Sequence, residues 1–346
     1  MKRILFLFLA LSVLAGCRPQ DRFVVFSGYA QGGVYSVTAN LAGVNMPQGA
    51  IQDSIDAILF TIDTTLSGYN KGSMLSKFNR GETIVPSPMF IELYDLAVYW
   101  FDRSGGALDM AAGPLFNAWG FGFTHDSLPD DQTVRSILGE CGMGRLNRDI
   151  LQVIRPDGTL HPMDLVTDGT EAAPQLNYNA IAQGYTSDLV AAFLYRIGVK
   201  DMLVNIGEIW CDGHNPSGQA WTVGIDSPTD GNEAPGENLE GKWGSGCLPR
   251  GIVTSGNYRK FYIRDGKKYA HTIDPRAGYP VEHNLLSATV VSSVSAAAAD
   301  AVATWCMVEG LDRAREIIDT DQTLEGFLIT SAPDGSFNSW SSQNFE

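Results

Sequence analysis

The sequence predicts an α+β fold, because predicted strands and helices follow one another without a regular alternation. Apolar residues recur at helical spacing in several long segments, and β-rich segments lie before and after them. A doubly wound sheet would instead alternate strands and helices throughout. The chain has 346 residues and 44% of them are apolar, so it can bury a sizeable core in one large or two modest domains.

The first third of the chain begins with strands and continues with helices. Residues 23–42 are β-rich, with a break at Gly32-Gly33. Residues 48–66 carry isoleucine or leucine at every third or fourth position, which predicts a helix with one buried face. A second helix is predicted at 88–103, and the glycine-containing stretch 105–122 after it is predicted to be rich in loops.

The later elements are predicted from the same local patterns. These are a helix at 131–140, strands within 148–165, a helix at 182–196, strands near 202–206 and 220–226, a surface loop or insertion at 227–249, a strand at 286–292 and an alanine-rich helix from Ser295 to about Val308. Apolar residues alternate on both sides of Asp265-Gly266, which predicts a hairpin of 258–263 and 268–273.

The N-terminal segment has the features of an export signal. Lys2 and Arg3 precede the apolar stretch Ile4–Val13, which is too short to remain as a membrane-spanning helix. It is followed by Leu14-Ala15-Gly16-Cys17, which resembles the lipobox of bacterial lipoproteins, where the chain is cut before a cysteine that is lipidated. The alternative is an ordinary secretory signal with a cysteine there by chance.

The lipobox interpretation assigns residues 1–17 to a lipoprotein signal peptide that ends at Cys17, the lipidated residue. Residues 18–22 then form a tether, 23–334 form the folded domain, and 335–346 form a frayed polar tail. We therefore expect a protein held to a bacterial membrane by its lipid anchor, facing the periplasm or the cell exterior.

Charge and cysteine content exclude two kinds of function. The formal net charge is −15 and the basic residues form no long run, so we expect no binding to nucleic acid. Cys141, Cys211, Cys247 and Cys306 form no Cys-x-x-Cys pair, so we expect neither a zinc ribbon nor a dithiol redox motif. Cys306 lies in the alanine-rich helix and is expected to be buried and unreactive.

Asp300 and Thr304 are four residues apart in the alanine-rich helix, so their side chains lie on one face. One carboxylate and one hydroxyl are hard oxygen donors, which suit Mg²⁺ or Ca²⁺ better than Zn²⁺. The alternative is an ordinary capping or surface pair.

His271 is a candidate general acid or base, because it lies where the predicted hairpin passes into a turn. Asp274 is close in sequence, and Pro275 and Gly278 would hold the turn rigid. The alternative is a His–Asp pair that only stabilises the turn.

Two further segments have features of a nucleotide site. Residues 177–184 lead into the helix at 182–196, whose free N–H groups and dipole favour an anion. Tyr69 lies in a loop, where it can stack on a flat ring or simply pack on the surface. The chain has neither G-x-G-x-x-G nor G-x-x-x-x-G-K-[ST].

Taken together, these segments resemble motifs of the ApbE-type flavin transferases, the FAD:protein FMN transferases. The matching blocks are Gln31-Gly32-Gly33-Val34-Tyr35, Leu66-Ser67-Gly68-Tyr69 with Ser73 and Phe78-Asn79, Gly106-Ala107-Leu108-Asp109 with Pro114-Leu115 and Trp119-Gly120-Phe121-Gly122, Asn177 to Gly184, Thr254 to Arg259, His271 to Pro280, and Ala299 to Thr304. The resemblance extends from about Gln31 to Gly310. It implies a single ApbE-like catalytic unit of two intermingled lobes over 23–334, with FAD bound in the cleft between them.

The resemblance also implies which residues form the site. Asp300, Thr304 and the backbone carbonyl of Ala180 would hold Mg²⁺, and Tyr69 would stack on the isoalloxazine of FAD. His271 would lie near the reacting phosphate. The remaining residues implied to line the FAD site are Gln31, Ala107, Leu108, Asp109, Asn177, Gln183 and Ile273.

Three places depart from the family pattern, and one of them is Gly207-Glu208, which is one glycine short of the usual G-G-[DE]. Asn177 stands where the family has Asp, and Gln183 stands where it has Lys. These changes keep the local charge sum but remove charge-assisted contacts, so we expect retained activity with altered affinity for FAD.

The implied reaction is Mg²⁺-dependent transfer of FMN from FAD to a threonine hydroxyl of an acceptor protein, with release of AMP. His271 is the candidate base, oriented by Asp274. Expected acceptors carry a [DS]-[GS]-A-T type motif and belong to electron-transfer or ion-pump complexes. Two alternatives remain: an FAD pyrophosphatase that releases FMN and AMP, and a lipid-anchored flavin-binding protein without catalysis.

Overall fold

The computed structural model describes residues 21–82, 84–121, 128–146, 174–229, 236–257, 261–264 and 267–345. The predicted strands within 148–165, the predicted lipidation site Cys17 and the motif residues Gly122, Tyr258 and Arg259 lie outside these ranges.

Helices of 6 to 19 residues make up the α part of the described fold. They are α1 (Gln48–Leu66), α2 (Met74–Asn79), α3 (Pro88–Arg103), α4 (Gly113–Ala118), α5 (Asp131–Glu140), α6 (Ala182–Arg196), α7 (Ala296–Glu309) and α8 (Leu311–Asp319). Local sequence fixes several starts. Ser73, Ser87 and Asp130 each accept a hydrogen bond from the backbone N–H three residues later, the usual role of an N-cap side chain.

The strands form one large sheet and three short hairpins. They are β1 (Phe23–Ala30), β2 (Gly33–Asn40), β3 (Met202–Asn205), β4 (Ile209–Asp212), β5 (Thr222–Asp226), β6 (Leu239–Gly244), β7 (Arg250–Gly256), β8 (Phe261–Arg264), β9 (Lys267–Ala270), β10 (Ile273–Asp274), β11 (Tyr279–Pro280), β12 (Leu285–Ser292), β13 (Leu324–Ser331) and β14 (Phe337–Ser341). The large sheet has eight strands in the order β1-β2-β3-β4-β7-β12-β13-β14. Each neighbouring pair in it is antiparallel.

The large sheet is buried on both faces at its centre. On β7, Val253 packs into the core that α7 covers, whereas Ile252 packs into a second cluster that contains Trp221 and Trp243. This alternation follows from the two-residue period of a strand. Helix α7 therefore lies directly on β7 and β12, which fixes its position relative to the sheet. The α+β prediction is confirmed, while the two lobes and their cleft stay a prediction.

Several local predictions are wrong. Residues 227–249 are not all loop, because β6 pairs with β5 there, and the tail is not all frayed, because β14 pairs with β13. The stretch 105–122 contains the short helix α4.

The predicted hairpin around Asp265-Gly266 is confirmed by the pairing of β8 with β9. Cys306 is buried as expected, and so are Cys141 and Cys211, whereas Cys247 is half-buried. All these cysteines are free thiols. Within the described ranges, no helix has the length and apolar character needed to cross a bilayer.

Candidate functional site

Helices α6 and α7 approach each other closely at Gly184. A Cβ atom on Gly184 would lie 2.4 Å from the carbonyl oxygen of Ala296, and one on Gly251 would lie 2.5 Å from the Cα atom of Ala296. Neither position has space for a side chain. The first turn of α7 is therefore enclosed between α6 and β7, and both neighbours contribute glycine.

Asp300 lies at this helix contact and is only 4% exposed. Its Oδ2 accepts a hydrogen bond of 3.1 Å from the backbone N–H of Gly184. Gly184 is four residues after Ala180, so in a regular helix the same N–H would bond the Ala180 carbonyl. Because α6 begins at Ala182, this N–H has no partner within the helix, and its bond to Asp300 brings the carboxylate beside the start of α6.

The electrostatic environment of Asp300 disfavours its charged form. Burial raises the pKa of Asp300 to about 7, the Gly184 N–H opposes this shift, and the negative charge of Asp188 adds to it. Burial also raises the pKa of Asp188 to about 6, against the opposing effect of two backbone N–H groups. Two carboxylates thus lie near each other where a cation would favour their ionised forms.

Thr304 follows Asp300 by one helical turn, and its Oγ1 lies 3.4 Å from Oγ of Ser255 on β7. Asp300 is buried, so it is not part of a surface pair. Within the described part of the chain, no group of three or more His, Cys, Asp and Glu side chains could hold a metal. The oxygen donors here are one carboxylate and neutral groups, a set that fits Mg²⁺ and not Zn²⁺.

Gln31 and Gln183 both lie at the start of α6, Gln183 within its first turn and Gln31 in contact with Thr186. Gln31 adopts a left-handed conformation (φ 51°) in the turn between β1 and β2, and its Nε2 donates to Oγ1 of Thr186. Gln183 packs against Gly207, where a Cβ atom would lie 2.5 Å from the Gln183 Nε2. Two residues implied by the family resemblance are therefore placed beside the same helix end.

Asn177 organises the turn that precedes α6. Its Oδ1 accepts the N–H of Asn179 (3.0 Å), and its own N–H donates to the carbonyl of Met110 (2.7 Å). The second bond joins this turn to Met110, which directly follows the segment 107–109. Ala107 and Leu108 of that segment are buried, at 2% and 3% exposure.

Asp109 uses its carboxylate to hold neighbouring backbone. Its Oδ1 accepts the N–H groups of Ala111 and Met143, each at 2.9 Å. Charge-assisted bonds of this kind fix a loop strongly. Asp109 therefore shapes the segment that leads into α4.

His271 and Asp274 lie where they were predicted, directly after β9 and in β10. The His271 ring is half-buried and makes an edge contact with the Phe121 ring, with a centroid separation of 6.4 Å. The Asp274 carboxylate bonds the Arg276 side chain at 2.9 Å, and the Asp274 carbonyl accepts the N–H of Gly278 at 2.7 Å. These bonds favour a turn-stabilising role for Asp274, and its predicted orientation of His271 stays a prediction.

Ile273 is only 1% exposed and packs in a cluster with Leu115 and Trp119. The indole Nε1 of Trp119 donates to the carbonyl of Gly278 at 2.8 Å. The turn that follows His271 is therefore attached to α4 and its C-terminal end by a small core of its own.

Tyr69 is 71% exposed, but its loop is held by hydrogen bonds. Oγ of Ser73 donates to the carbonyl of Ser67 at 2.6 Å, and Nδ2 of Asn70 donates to Oδ2 of Asp63 at 2.6 Å. A fixed loop with an exposed aromatic ring is suited to stacking on a flat ligand.

Asp188 was not predicted from the sequence to contact the site. Ser255 and Arg276 lie in the matching motif blocks, but their contacts with Thr304 and Glu309 were not predicted. Asp188 follows Gly184 by four residues, which places both on one face of α6. That spacing indicates the shared helix face but not the partner in α7. Asp188 and Gly184 contact residues of α7 that are more than 100 positions away in the sequence, so local patterns do not indicate these contacts.

Comparison with known proteins gives consistent matches over most of the chain. Residues 32–328 match the model of the ApbE family. Two relatives called FAD:protein FMN transferase, from Escherichia coli (strain K12) and Vibrio cholerae, are 31% and 30% identical. The alignments cover 89% of this chain and 84% of the E. coli protein, and 97% and 96% for the V. cholerae pair.

Solved structures agree in fold. The flavin transferase ApbE from Vibrio cholerae superposes with a TM-score of 0.75 at 28% identity, covering 93% of this chain and 98% of that one. The apo form of the flavinyl transferase ApbE from Pseudomonas stutzeri gives a TM-score of 0.75 at 29% identity, covering 93% and 95%.

Proposed function

This chain belongs to the ApbE family, and from that premise we propose that it is an FAD:protein FMN transferase that uses Mg²⁺ and acts on a threonine hydroxyl. One observation carries the proposal: the buried Asp300 carboxylate is bonded to the backbone N–H of Gly184 at the start of α6. This contact brings an acidic side chain to the end of a helix suited to a diphosphate.

The residues at this place fit a hard divalent cation. Asp300 and Thr304 supply a carboxylate and a hydroxyl on one face of α7, and Ala180 supplies a backbone carbonyl before α6. Mg²⁺ prefers oxygen ligands and usually retains waters, so few protein donors suffice. When bound, it would neutralise charge on the diphosphate of FAD.

The rest of the site would bind and orient FAD. The exposed ring of Tyr69 would stack on the isoalloxazine, while the amides of Gln31 and Gln183 lie by the first turns of α6. Asn177 and Gln183 offer neutral hydrogen-bonding groups in place of charged ones, which supports an FAD affinity that differs from that of family members with Asp and Lys.

The proposed transfer forms one bond and breaks another. The threonine oxygen of the acceptor attacks the phosphorus of the FMN half of FAD, and the bond from that phosphorus to the oxygen of AMP breaks. His271 accepts the threonine proton, and AMP leaves with the electron pair of the broken bond. The product is FMN in phosphoester linkage to the acceptor.

The proposed acceptors carry a [DS]-[GS]-A-T type motif and belong to electron-transfer or ion-pump complexes. We place the reaction outside the cytoplasm, with the enzyme tethered to a bacterial membrane through lipidated Cys17. The segment Leu14-Ala15-Gly16-Cys17 supports this placement, because it resembles a lipobox.

The test uses the full chain in mild detergent, mixed with FAD, Mg²⁺ and a protein fragment that contains Ser-Gly-Ala-Thr. Intact mass shows whether the fragment gains one FMN, and a fragment with valine in place of threonine tests the target residue. Asp300→Ala is the test variant, and Asp312→Ala, which removes an exposed carboxylate on α8, is its matched control.

We expect the wild type and Asp312→Ala to modify the threonine fragment and Asp300→Ala to lose this activity. Free FMN and AMP with an unmodified fragment would favour a pyrophosphatase. Bound but intact FAD would favour a binding protein without catalysis.

A further inference from the structure

The first turn of α7 has a complete set of hydrogen-bond acceptors from two sources. Ser295 supplies the local ones, because its Oγ accepts the N–H of Ala298 (2.9 Å) and its carbonyl accepts the N–H of Ala299 (3.2 Å). Asp188 of α6 supplies the others, because its Oδ1 and Oδ2 accept the N–H groups of Ala296 (2.8 Å) and Ala297 (2.9 Å). The N–H groups of the first four residues of α7 are thus all paired.

The bonds from Ser295 and those from Asp188 constrain different features of α7. Ser295 is adjacent to α7 in sequence, so its bonds start the helix wherever the helix lies. Asp188 belongs to another helix, so its paired bonds fix where α7 lies on α6. Charge-assisted bonds to two adjacent N–H groups also fix rotation about the helix axis, which a single bond would not.

A second bond between the same helices lies one turn further along. Asp188 bonds the residues at 296–297, and Gly184, four residues earlier on α6, bonds Asp300, which is four residues after Ala296 on α7. The bonded pairs therefore step in opposite directions along the two helices. One more step of four residues in the same sense leads to Thr304 on α7 and to Ala180, two residues before α6 begins.

The packing of α6 against α7 at Gly184 leaves little space for either helix to move. Gly184 lies so close to Ala296 that even a methyl group would overlap the carbonyl of Ala296. Any rotation or sliding of α7 would have to break the two Asp188 bonds, the Gly184 bond or both. The positions of Asp300 and Thr304 relative to the Ala180 carbonyl therefore depend on how α7 is attached to α6.

We infer that Asp188 is a positioning residue for the cation site: it attaches α7 to α6 so that Asp300 and Thr304 lie opposite the Ala180 carbonyl. The inference rests on the proposed function for the identity of the cation site. Asp188 itself acts through α7 and is not a ligand.

The test measures cation binding directly, with Mn²⁺ alone and no FAD, by electron paramagnetic resonance of free Mn²⁺ in titrations of the full chain. The variants are Asp188→Ala and Asp188→Asn, and the matched control is Ser295→Ala, which removes a bond to the same helix turn without touching α6. Thermal midpoints are recorded for each. Asp300→Asn tests the cation site itself.

We expect Asp188→Ala to weaken Mn²⁺ binding about tenfold or more, as is typical when a residue that orients metal ligands is removed. Asp188→Asn keeps one acceptor oxygen and should weaken binding less, although it lacks the negative charge just as the alanine variant does. Ser295→Ala should lower the thermal midpoint with Mn²⁺ affinity within about twofold of wild type.

The Mg²⁺ concentration for half-maximal transfer should rise most in Asp188→Ala, less in Asp188→Asn and hardly at all in Ser295→Ala. The transfer rate should be restored at high Mg²⁺. Wild-type Mn²⁺ affinity in Asp188→Ala would overturn the inference, and so would equal losses in the alanine and asparagine variants, which indicate charge alone. An equal loss in Ser295→Ala would show that only helix stability matters. If Asp300→Asn binds Mn²⁺ normally, the cation site of the proposed function is wrong instead.

Discussion

The guanidinium of Arg276 forms a paired bond with the carboxylate of Asp274, from Nε to Oδ1 and from Nη2 to Oδ2, each at 2.9 Å. Its third nitrogen, Nη1, donates to Oε1 of Glu309 at the end of α7 at 2.8 Å. The aliphatic part of Arg276 lies beside Gly106, where a Cβ atom would be 3.6 Å from Cγ. One side chain thus joins the turn after His271 to α7 and to the segment that precedes Asp109.

Arg276→Lys should slow FMN transfer at saturating FAD while costing only about 1 kcal/mol of folding free energy. An ammonium group can bond one carboxylate oxygen but cannot reproduce the planar fork, so the turn loses its fixed attachment to α7. The stability loss is small because the pair is partly exposed. The measurements are single-turnover transfer rates and denaturant midpoints.

Arg80→Lys is the control for this substitution, because Arg80 also binds a carboxylate, Glu82, but on an exposed surface. Its transfer rate should equal that of the wild type. A wild-type rate in Arg276→Lys would show that the attachment of the turn has no role in the reaction.

Tyr69→Ala should weaken FAD binding about tenfold, since stacking of an aromatic side chain on a flat ring contributes roughly 1–3 kcal/mol. The side chain is 71% exposed, so the thermal midpoint should hardly change. Tyr69→Phe keeps the ring and should bind FAD like the wild type. Quenching of flavin fluorescence measures the affinity, and Tyr99→Ala on α3, another exposed tyrosine, serves as control.

Equal FAD affinities for Tyr69→Ala and Tyr99→Ala would contradict a stacking role for Tyr69. A loss of affinity in Tyr69→Phe as large as in Tyr69→Ala would instead assign the contact to the hydroxyl group.

The sequence predicted those parts of the site that depend on local spacing. Asp300 and Thr304 could be placed on one helix face because the period of a helix is fixed. His271 could be placed after a strand because Asp-Gly marks a hairpin turn. In both cases the structural information lies within about ten residues, so a single sequence contains it.

Two of the missed strands, β6 and β14, bury few residues, whereas β7 and β13 contain several buried residues and were not predicted either. On β6 the fully buried side chain is Trp243, and β14 has only partly buried and exposed residues. A strand with so little burial lacks the apolar alternation from which strands are recognised, and pairing with a neighbouring strand determines its structure. Long-range pairing likewise determines the Asp188 contact, which no local pattern contains.

The pH dependence of stability should contain a contribution from His283, because two bonds select its neutral form. Its Nε2 donates to the carbonyl of Met307 at 2.9 Å, and its Nδ1 accepts the N–H of Leu285 at 3.3 Å. A protonated ring would have N–H groups at both nitrogens and would lose the bond from Leu285. Burial is the main cause that lowers the pKa of His283 below its usual value.

Because the folded state resists protonation of His283 more than the unfolded state does, this residue stabilises the fold above the ordinary histidine pKa. The stabilisation is lost as the pH falls toward the lowered pKa of the folded state. His283→Gln removes the titrating group, so its free energy of unfolding should fall less than that of the wild type between about pH 7.5 and about pH 5.5. Comparing the two pH values within each protein cancels any constant cost of the substitution. An unchanged difference in His283→Gln would assign the acid sensitivity to other groups.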